Sequence, residues 1–139
     1  MRLLGLDVGD RRIGLAISDP NGQVAVPLRT LRRAAPDGVI DEIAALVAEE
    51  SVEGIVVGLP LRLDGSSGPQ AESVQEFVRK LLSAVEVPVT LWDERLSTVQ
   101  AEQLLRRDGR STRRGKGAED ALAAAIILQG YLDSRPAAS

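Results

Sequence analysis

The stretch from Leu3 to Ser18 constrains the fold more than any other part of this chain. It reads as two short strands, Leu3–Val8 and Ile13–Ser18, around a charged turn at Gly9–Arg12. Successive strand residues point to opposite faces. Leu4, Leu6 and Val8 therefore share one face with Ile13, Leu15 and Ile17, all large and apolar. The other face carries Gly5, Gly14, Ala16 and Ser18, with Leu3 and Asp7 among them. A sheet that is bulky on one side and small on the other lets something approach its small side closely. Asp7 lies on that small side, where an ionised carboxylate is costly unless it is paired. Either a helix packs there and Asp7 meets an arginine, or Asp7 belongs to a site.

The remaining pattern extends this pair into a sheet. Val24–Leu28 reads as a third strand after a turn at Pro20–Gly22. Residues 37–50 read as a helix on the spacing of Val39, Ile40, Ile43, Leu46 and Val47. Gly54–Gly58 and Val87–Trp92 are short continuous apolar runs, expected to be strands buried on both faces. A loop, LPLRLDGSSGPQ, leads into a helix reaching about Val85. Ser97–Gln100 fits a capping box opening a helix to about Arg107. A last helix is expected from about Gly117 to Leu132, with Leu122, Ala125 and Ile126 as its core stripe, extended by Ala121, Ala124 and Leu128. Three meandering strands followed by crossovers imply an α/β fold: a mixed five-stranded sheet with helices on both faces. One domain over residues 1–133 and a disordered tail at 134–139 are expected. No apolar run is long enough to cross a bilayer and no signal peptide is expected, so the chain reads as soluble and cytoplasmic.

Composition narrows the chemistry. The 139 residues include no Cys and no His. This excludes disulfides, thiolate or imidazole zinc sites, cysteine nucleophiles and histidine general bases. Hydrolytic chemistry here would rest on carboxylates and a hard, oxygen-seeking ion. The net charge is −3, yet Arg106 to Lys116 holds six basic residues and one acid, a local +5 that leaves −8 elsewhere. Such asymmetry suits a phosphate-facing loop on an acidic body, and equally a solvated surface loop. Within it Arg110, Arg113, Arg114 and Lys116 are candidate phosphate contacts.

Three acids stand at positions that this topology brings toward one edge. Asp7 sits inside the first strand, between Leu6 and Val8. Glu94 follows the last strand; otherwise it would pair with Arg95 or face a helix dipole. Asp120 sits in the first turn of the last helix, where acids are favoured anyway and Glu119 competes for the role. Converging carboxylates repel unless cations lie between them. Two Mg²⁺ or Mn²⁺ ions about 4 Å apart would neutralise the cluster and suit phosphodiester hydrolysis. Arg62, Ser66, Ser67 and the backbone N–H groups of their loop stand ahead of a helix, where phosphate is favoured; the same loop could be a plain helix entry with Pro69 in its first turn. Arg11 and Arg12 read as surface charge at the strand turn.

The segments LGLDVGDRRIGLAISD, VVGLPLRLDGSSGPQAE, LWDERLST and EDALAAAIILQGYLD resemble the four signature blocks of the YqgF (RuvX-like) family, of the ribonuclease H-like superfamily. The resemblance spans Leu3 to Asp133. It implies a ribonuclease H-like fold and a metal-dependent nuclease of ribosome biogenesis, acting on the 5′ end of pre-16S rRNA. A ribosomal particle is an implied partner, and the protein a monomer or homodimer. An older family description implies a Holliday junction resolvase acting on branched DNA. The family's acids fall on Asp7, Glu94 and Asp120, as catalytic and metal-binding residues. Arg62 stands where relatives often carry Asn, and the basic loop holds more Arg than theirs. LGLDVG also resembles the phosphate-binding strand of actin-like ATPases, which normally need two such domains; a non-catalytic assembly or transcription factor on a nuclease fold is the remaining reading. With three aromatics, Phe77, Trp92 and Tyr131, recognition by base stacking is disfavoured and backbone recognition expected.

Overall fold

The computed structural model describes residues 1–34, 38–96 and 116–135, with side chains in the last stretch from residue 118 onward. Three strands, β1 (Leu3–Val8), β2 (Arg12–Ser18) and β3 (Ala25–Arg32), run as an antiparallel meander. Helix α1 (Gly38–Glu49) crosses to β4 (Gly54–Leu59), and α2 (Pro69–Leu82) crosses to β5 (Val89–Asp93). A single 3₁₀ turn, Glu94–Leu96, follows β5. The last helix, α3, spans Lys116–Ser134. The strands order as β3-β2-β1-β4-β5, with β4 parallel to both β1 and β5.

The bulky face of the sheet is the main core. Leu4, Leu6, Ile13 and Leu15 meet Ile43 and Leu46 of α1, Val74, Phe77 and Leu81 of α2, and Ile55 and Val57 of β4. The period of about 3.6 that exposes the other side of each helix follows from those positions. Ser51, at φ 54°, turns the chain out of α1 in the left-handed conformation, while the Val52 N–H donates to the Val47 carbonyl at 3.0 Å. Pro69 opens α2, where its missing N–H costs nothing.

The small face is covered by α3 alone among the described helices. Leu3, Ala16, Ala25 and Val56 pack on Ala124, Ala125, Ile127, Leu128 and Leu132. Ser18 is buried here because its Oγ accepts the Leu3 N–H at 2.8 Å, so its polarity is satisfied. A Cβ on Gly5 would stand 2.8 Å from Leu128 Cβ and 3.0 Å from the Ala124 carbonyl oxygen. On Gly14 it would run into the backbone carbonyl of Asp120. The asymmetry of the two sheet faces is thus the space that α3 occupies.

Several boundaries differ from expectation. β3 runs to Arg32 rather than Leu28, because pairing with β2 continues through Ile13↔Leu31 and Arg12↔Arg32. Pro27 is tolerated in it because β3 is an edge strand and the register shifts beside it. β5 is not a buried strand: it forms the other edge, with Leu91 39% exposed. Its apolar residues had suggested burial on both faces, but no strand lies beyond it in the described sheet. α2 ends at Leu82, and α3 extends to Ser134, whose hydroxyl donates to the Tyr131 carbonyl at 2.7 Å. Within α3 it is Ile127, not Ile126, that is fully buried. The helix expected from Ser97 to about Arg107 lies outside the described residues, as does the tail from 136 on.

Filling the space over Gly14 should therefore be costly. Gly14→Ala is expected to lose about 2 kcal/mol or more, an overpacking cost raised by the backbone it meets. Urea denaturation of the variant beside the parent protein measures it.

Candidate active site

Parallel strands β1, β4 and β5 end at one edge of the sheet, and the chain reverses its sense of progress between β1 and β4. Ligands of open α/β sheets bind beyond such strand ends. Asp7, the penultimate residue of β1, is half-buried on the small face and pairs across to Gly14. Because Gly14 lacks a side chain, the first turn of α3 settles over β2 and sets Asp120 beside Asp7. On the other flank, Gly58 of β4 leaves space that Glu94 fills: a Cβ there would lie 2.6 Å from Glu94 Oε1. Asp120 over β2, Asp7 on β1 and Glu94 over β4 thus stand in a row across the sheet. Glycines at two of the three strands make the row possible.

The electrostatics follow that order. Burial pushes the Asp7 carboxyl above the usual range, and the negative charge of Asp120 pushes it further. Glu94 is pushed up to about 7, first by burial, then by the charges of Asp7 and Asp93. Asp120 differs: its Oδ2 accepts a hydrogen bond from Arg12 Nε at 2.5 Å. Among the described residues, no three acidic side chains are drawn tightly enough together to form a ready-made metal cage. The row is a spread of like charges with one guanidinium at its end.

Arg12 corrects its expected place as surface charge. It shares the small face with Gly14, two residues along β2, and so points at α3. That alternation was present in the sequence; what was missing was the position of Asp120 above it. Arg95 also departs from the simplest expectation. It grips its neighbour Asp93 through Nε and Nη2, at 3.0 and 2.6 Å, rather than Glu94. Its hydrogen bonds hold Asp93 below the ordinary carboxylate range. Arg95 Nη1 also donates to the Leu63 carbonyl at 3.1 Å, tying the end of β5 to the loop after β4.

That loop divides its polar residues. Asp64 Oδ1 accepts from both the N–H and the hydroxyl of Ser66, at 2.9 and 2.6 Å, which lowers its pKa. Gly65, at φ 88°, completes the turn. The Ser66 hydroxyl is therefore engaged in its own loop, and Ser67 is exposed. Arg62 is also exposed, with Nε 2.9 Å from where a Cβ on Gly68 would be. An open groove of about 470 Å³ joins Arg62, Gly68, Gln70, Glu94 and Arg95. Arg62 and Glu94 are thus brought together, whereas Ser66 and Ser67 do not line this groove. Arg110, Arg113 and Arg114 lie outside the described residues; Lys116 begins α3, its side chain outside them too.

A mixed sheet in this order, with helices on both faces, is the ribonuclease H-like fold. It resembles T. thermophilus RuvC in complex with Holliday junction substrate: TM-score 0.58 at 19% identity, covering 95% of this chain and 94% of that one. It also resembles the Fowlpox virus resolvase bound to Holliday junction DNA, with TM-score 0.59 at 9% identity, covering 96% and 98%. The sequence is more specific than the fold. The family model described as "RuvX: Holliday junction resolvase" matches residues 1–134, and the chain belongs to the RuvX family, a family of nucleases. It is 50% identical over 133 residues to a protein of Chloroflexus aggregans called "Putative pre-16S rRNA nuclease", covering 96% of this chain and 94% of that one. A protein of Halothermothrix orenii with the same name is 47% identical over 133 residues, covering 96% and 95%.

The raised Glu94 has a consequence for stability. An acid with a higher pKa folded than unfolded holds its proton more tightly when folded, so its contribution is complete below its ordinary value of 4.5 and is lost as pH rises through about 7. In chelator, Glu94→Gln should therefore melt at higher temperature than the parent at pH 8 and nearly match it at pH 4. The expected gain is on the order of 1 kcal/mol, since solvent screens part of the repulsion. Thermal melts at the two pH values check the sign.

Proposed function

We propose that this protein is a metal-dependent phosphodiester hydrolase that matures the 5′ end of pre-16S rRNA, with Asp7, Glu94 and Asp120 as its catalytic and metal-binding residues. The observation that carries the reading is the row of carboxylates at the carboxyl edge, whose central member, Asp7, is half-buried without a cationic partner among the described residues. A structure retains such repulsion when it serves a ligand. The names of relatives near 50% identity supply the substrate class.

The donor set fits hard divalent cations: all-oxygen, anionic, and without His or Cys. Bound Mg²⁺ or Mn²⁺, as a pair, would supply an activated water and stabilise the departing oxygen. Asp7, in the middle of the row, can share a ligand sphere with either flanking acid. Glu94, raised by burial and by the charges of Asp7 and Asp93, would be relieved by a cation placed between the acids. Arg12 fixes one oxygen of Asp120 and so holds that carboxylate in place beside Asp7. Arg62 reaches into the groove beside Glu94, suited to a phosphate next to the cleaved one. Ser66 and Ser67 are weaker contacts in this arrangement, offering backbone N–H groups more than hydroxyls. Arg110, Arg113, Arg114 and Lys116 would track the nucleic-acid backbone, with salt-sensitive affinity.

Junction cleavage is the second reading, favoured by the description of the matching family. It could use the same acids but needs two sites across a symmetric junction, hence a dimer. Among the described residues no helix is long and apolar enough to cross a membrane.

With Mn²⁺, a 5′-extended rRNA fragment and a four-way DNA junction should be compared as substrates. The parent is expected to cut the RNA. Asp7→Asn should lose about a hundredfold or more, exceeding the usual cost of outer-shell partners, with little change in melting. Symmetric junction cleavage instead would promote the resolvase, and full activity in Asp7→Asn would remove Asp7 from the site. Reversing charge at Arg113 and Arg114 should weaken RNA binding and flatten its salt dependence; unchanged affinity would reject that loop.

A further inference from the structure

Two exposed arginines where β2 begins and β3 ends, Arg11 and Arg32, have no place in the site as described. β2 begins and β3 ends at the sheet edge where β1 terminates, because the three strands are antiparallel neighbours. Arg12 and Arg32 are directly opposite in register, two residues beyond the row that contains Asp7, Gly14 and Thr30. Residues opposite each other in an antiparallel pair share a face, so Arg32 is on the face of the three acids. It lies about 7 Å further along the strands and about 10 Å across two of them from Asp7.

Like charges directly opposite are unfavourable. Arg12 is neutralised by Asp120. Arg32 is exposed, and its side chain has no ion pair or hydrogen bond among the described residues. The same is true of Arg11, one residue before β2. The backbone carrying them is well fastened. The Arg33 N–H donates to the Arg11 carbonyl at 2.8 Å, and the Gly9 N–H to the Arg12 carbonyl at 2.9 Å. Arg33 Nη1 donates to the Gly9 carbonyl at 2.8 Å, and its guanidinium lies 5.2 Å from the Phe77 ring centre. Two arginines are thus spent on holding the corner, and two are presented to solvent from a fixed base. Asp10, also exposed, is the acid in this turn.

We propose that Arg11 and Arg32 bind backbone phosphates of the nucleic-acid strand on the side of the acid row opposite Arg62. This rests on the nuclease reading above. The strand then crosses the sheet edge from the groove at Arg62 and Glu94, over Asp7, to the β2–β3 corner. The row of acids lies between two groups of cations, which hold the strand on both sides of the phosphate to be cut. Arginine suits the role because its fork matches phosphate oxygens in two-point contact.

The test measures binding of a labelled single-stranded RNA of about 20 nucleotides, by anisotropy across a salt series, in an Asp7→Asn background with Mg²⁺ at one fixed concentration. Removing two phosphate contacts lowers the slope of log affinity against log salt by about 1.4. Arg11→Ala with Arg32→Ala is expected to show that loss, as Arg62→Ala shows about half of it. Arg11→Lys with Arg32→Lys keeps the slope, because the term is electrostatic. Arg79→Ala, on the solvent side of α2, leaves it unchanged. An unaltered slope in the alanine pair, while Arg62→Ala weakens binding, overturns this corner and leaves the nuclease reading standing. Loss of slope in the lysine pair also overturns it, since the effect would then be structural. Absence of salt-dependent binding in the parent overturns both.

Discussion

The close approach of α3 to β1 and β2 is the contact on which the rest of the molecule depends. It needs Gly5 and Gly14 in the sheet and Ala121, Ala124 and Ala125 in the helix, because interiors are packed to crystal-like density and leave no slack for added methyls. The approach buries the small face and in the same act sets Asp120 beside Asp7. It is fastened at two heights. Arg12 holds Asp120 at the first turn, and Gln129 Oε1 accepts the Ala25 N–H at 2.9 Å two turns later, with its Nε2 donating to the Gln23 carbonyl. Packing and site assembly are therefore one requirement rather than two.

The polar row runs against that stability. Asp7 and Glu94 each have raised pKa values because burial and like charge act in the same direction. The fold tolerates this through its large apolar face, where Leu4, Leu6, Ile13, Leu15 and Ile55 lie beneath two helices. The two sides of one sheet thus divide the work: one holds the chain together, and the other carries the strain of a charged edge. Arg12 limits the strain at one end only. Asp93, next to Glu94, is satisfied by Arg95 and so leaves Glu94 without that cation.

How much of this was legible in the sequence depended on whether the signal was local. The alternation of bulky and small residues in β1 and β2 is a period-2 pattern, and it correctly located both the core and the face open to close approach. Asp7, Glu94 and Asp120 were legible as acids at element ends, and their order across the sheet follows from the topology. β5 was misread because a continuous apolar run reports hydrophobicity, not the number of neighbouring strands. The extra length of β3 was hidden by Arg29 and Arg32, which break the apolar pattern while its pairing with β2 continues. Arg12 was illegible for a different reason. Its partner is 108 residues away, and no local pattern announces an ion pair of that separation. Ser66 offered a hydroxyl to the sequence reader, but a neighbouring Asp64 had first claim on it.

The arginine content gains meaning from the same distinction. Of the 17 basic residues 15 are Arg, a choice that matters where one side chain must make several directed contacts. Arg95 does so by gripping Asp93 while reaching Leu63, and Arg33 by bonding Gly9 while lying against Phe77. Arg12 does so in holding Asp120. These three are structural in effect. A chain with net charge −3 can therefore still present cations at one edge, because Arg11, Arg12, Arg32 and Arg33 gather where β2 begins and β3 ends. Net charge describes the far field, but a polyanion at contact distance responds to the few charges within a Debye length, about 8 to 10 Å in physiological salt. On that scale the sheet edge is a short anionic row between cationic flanks, a pattern that a phosphate backbone can cross only where the acids have been neutralised.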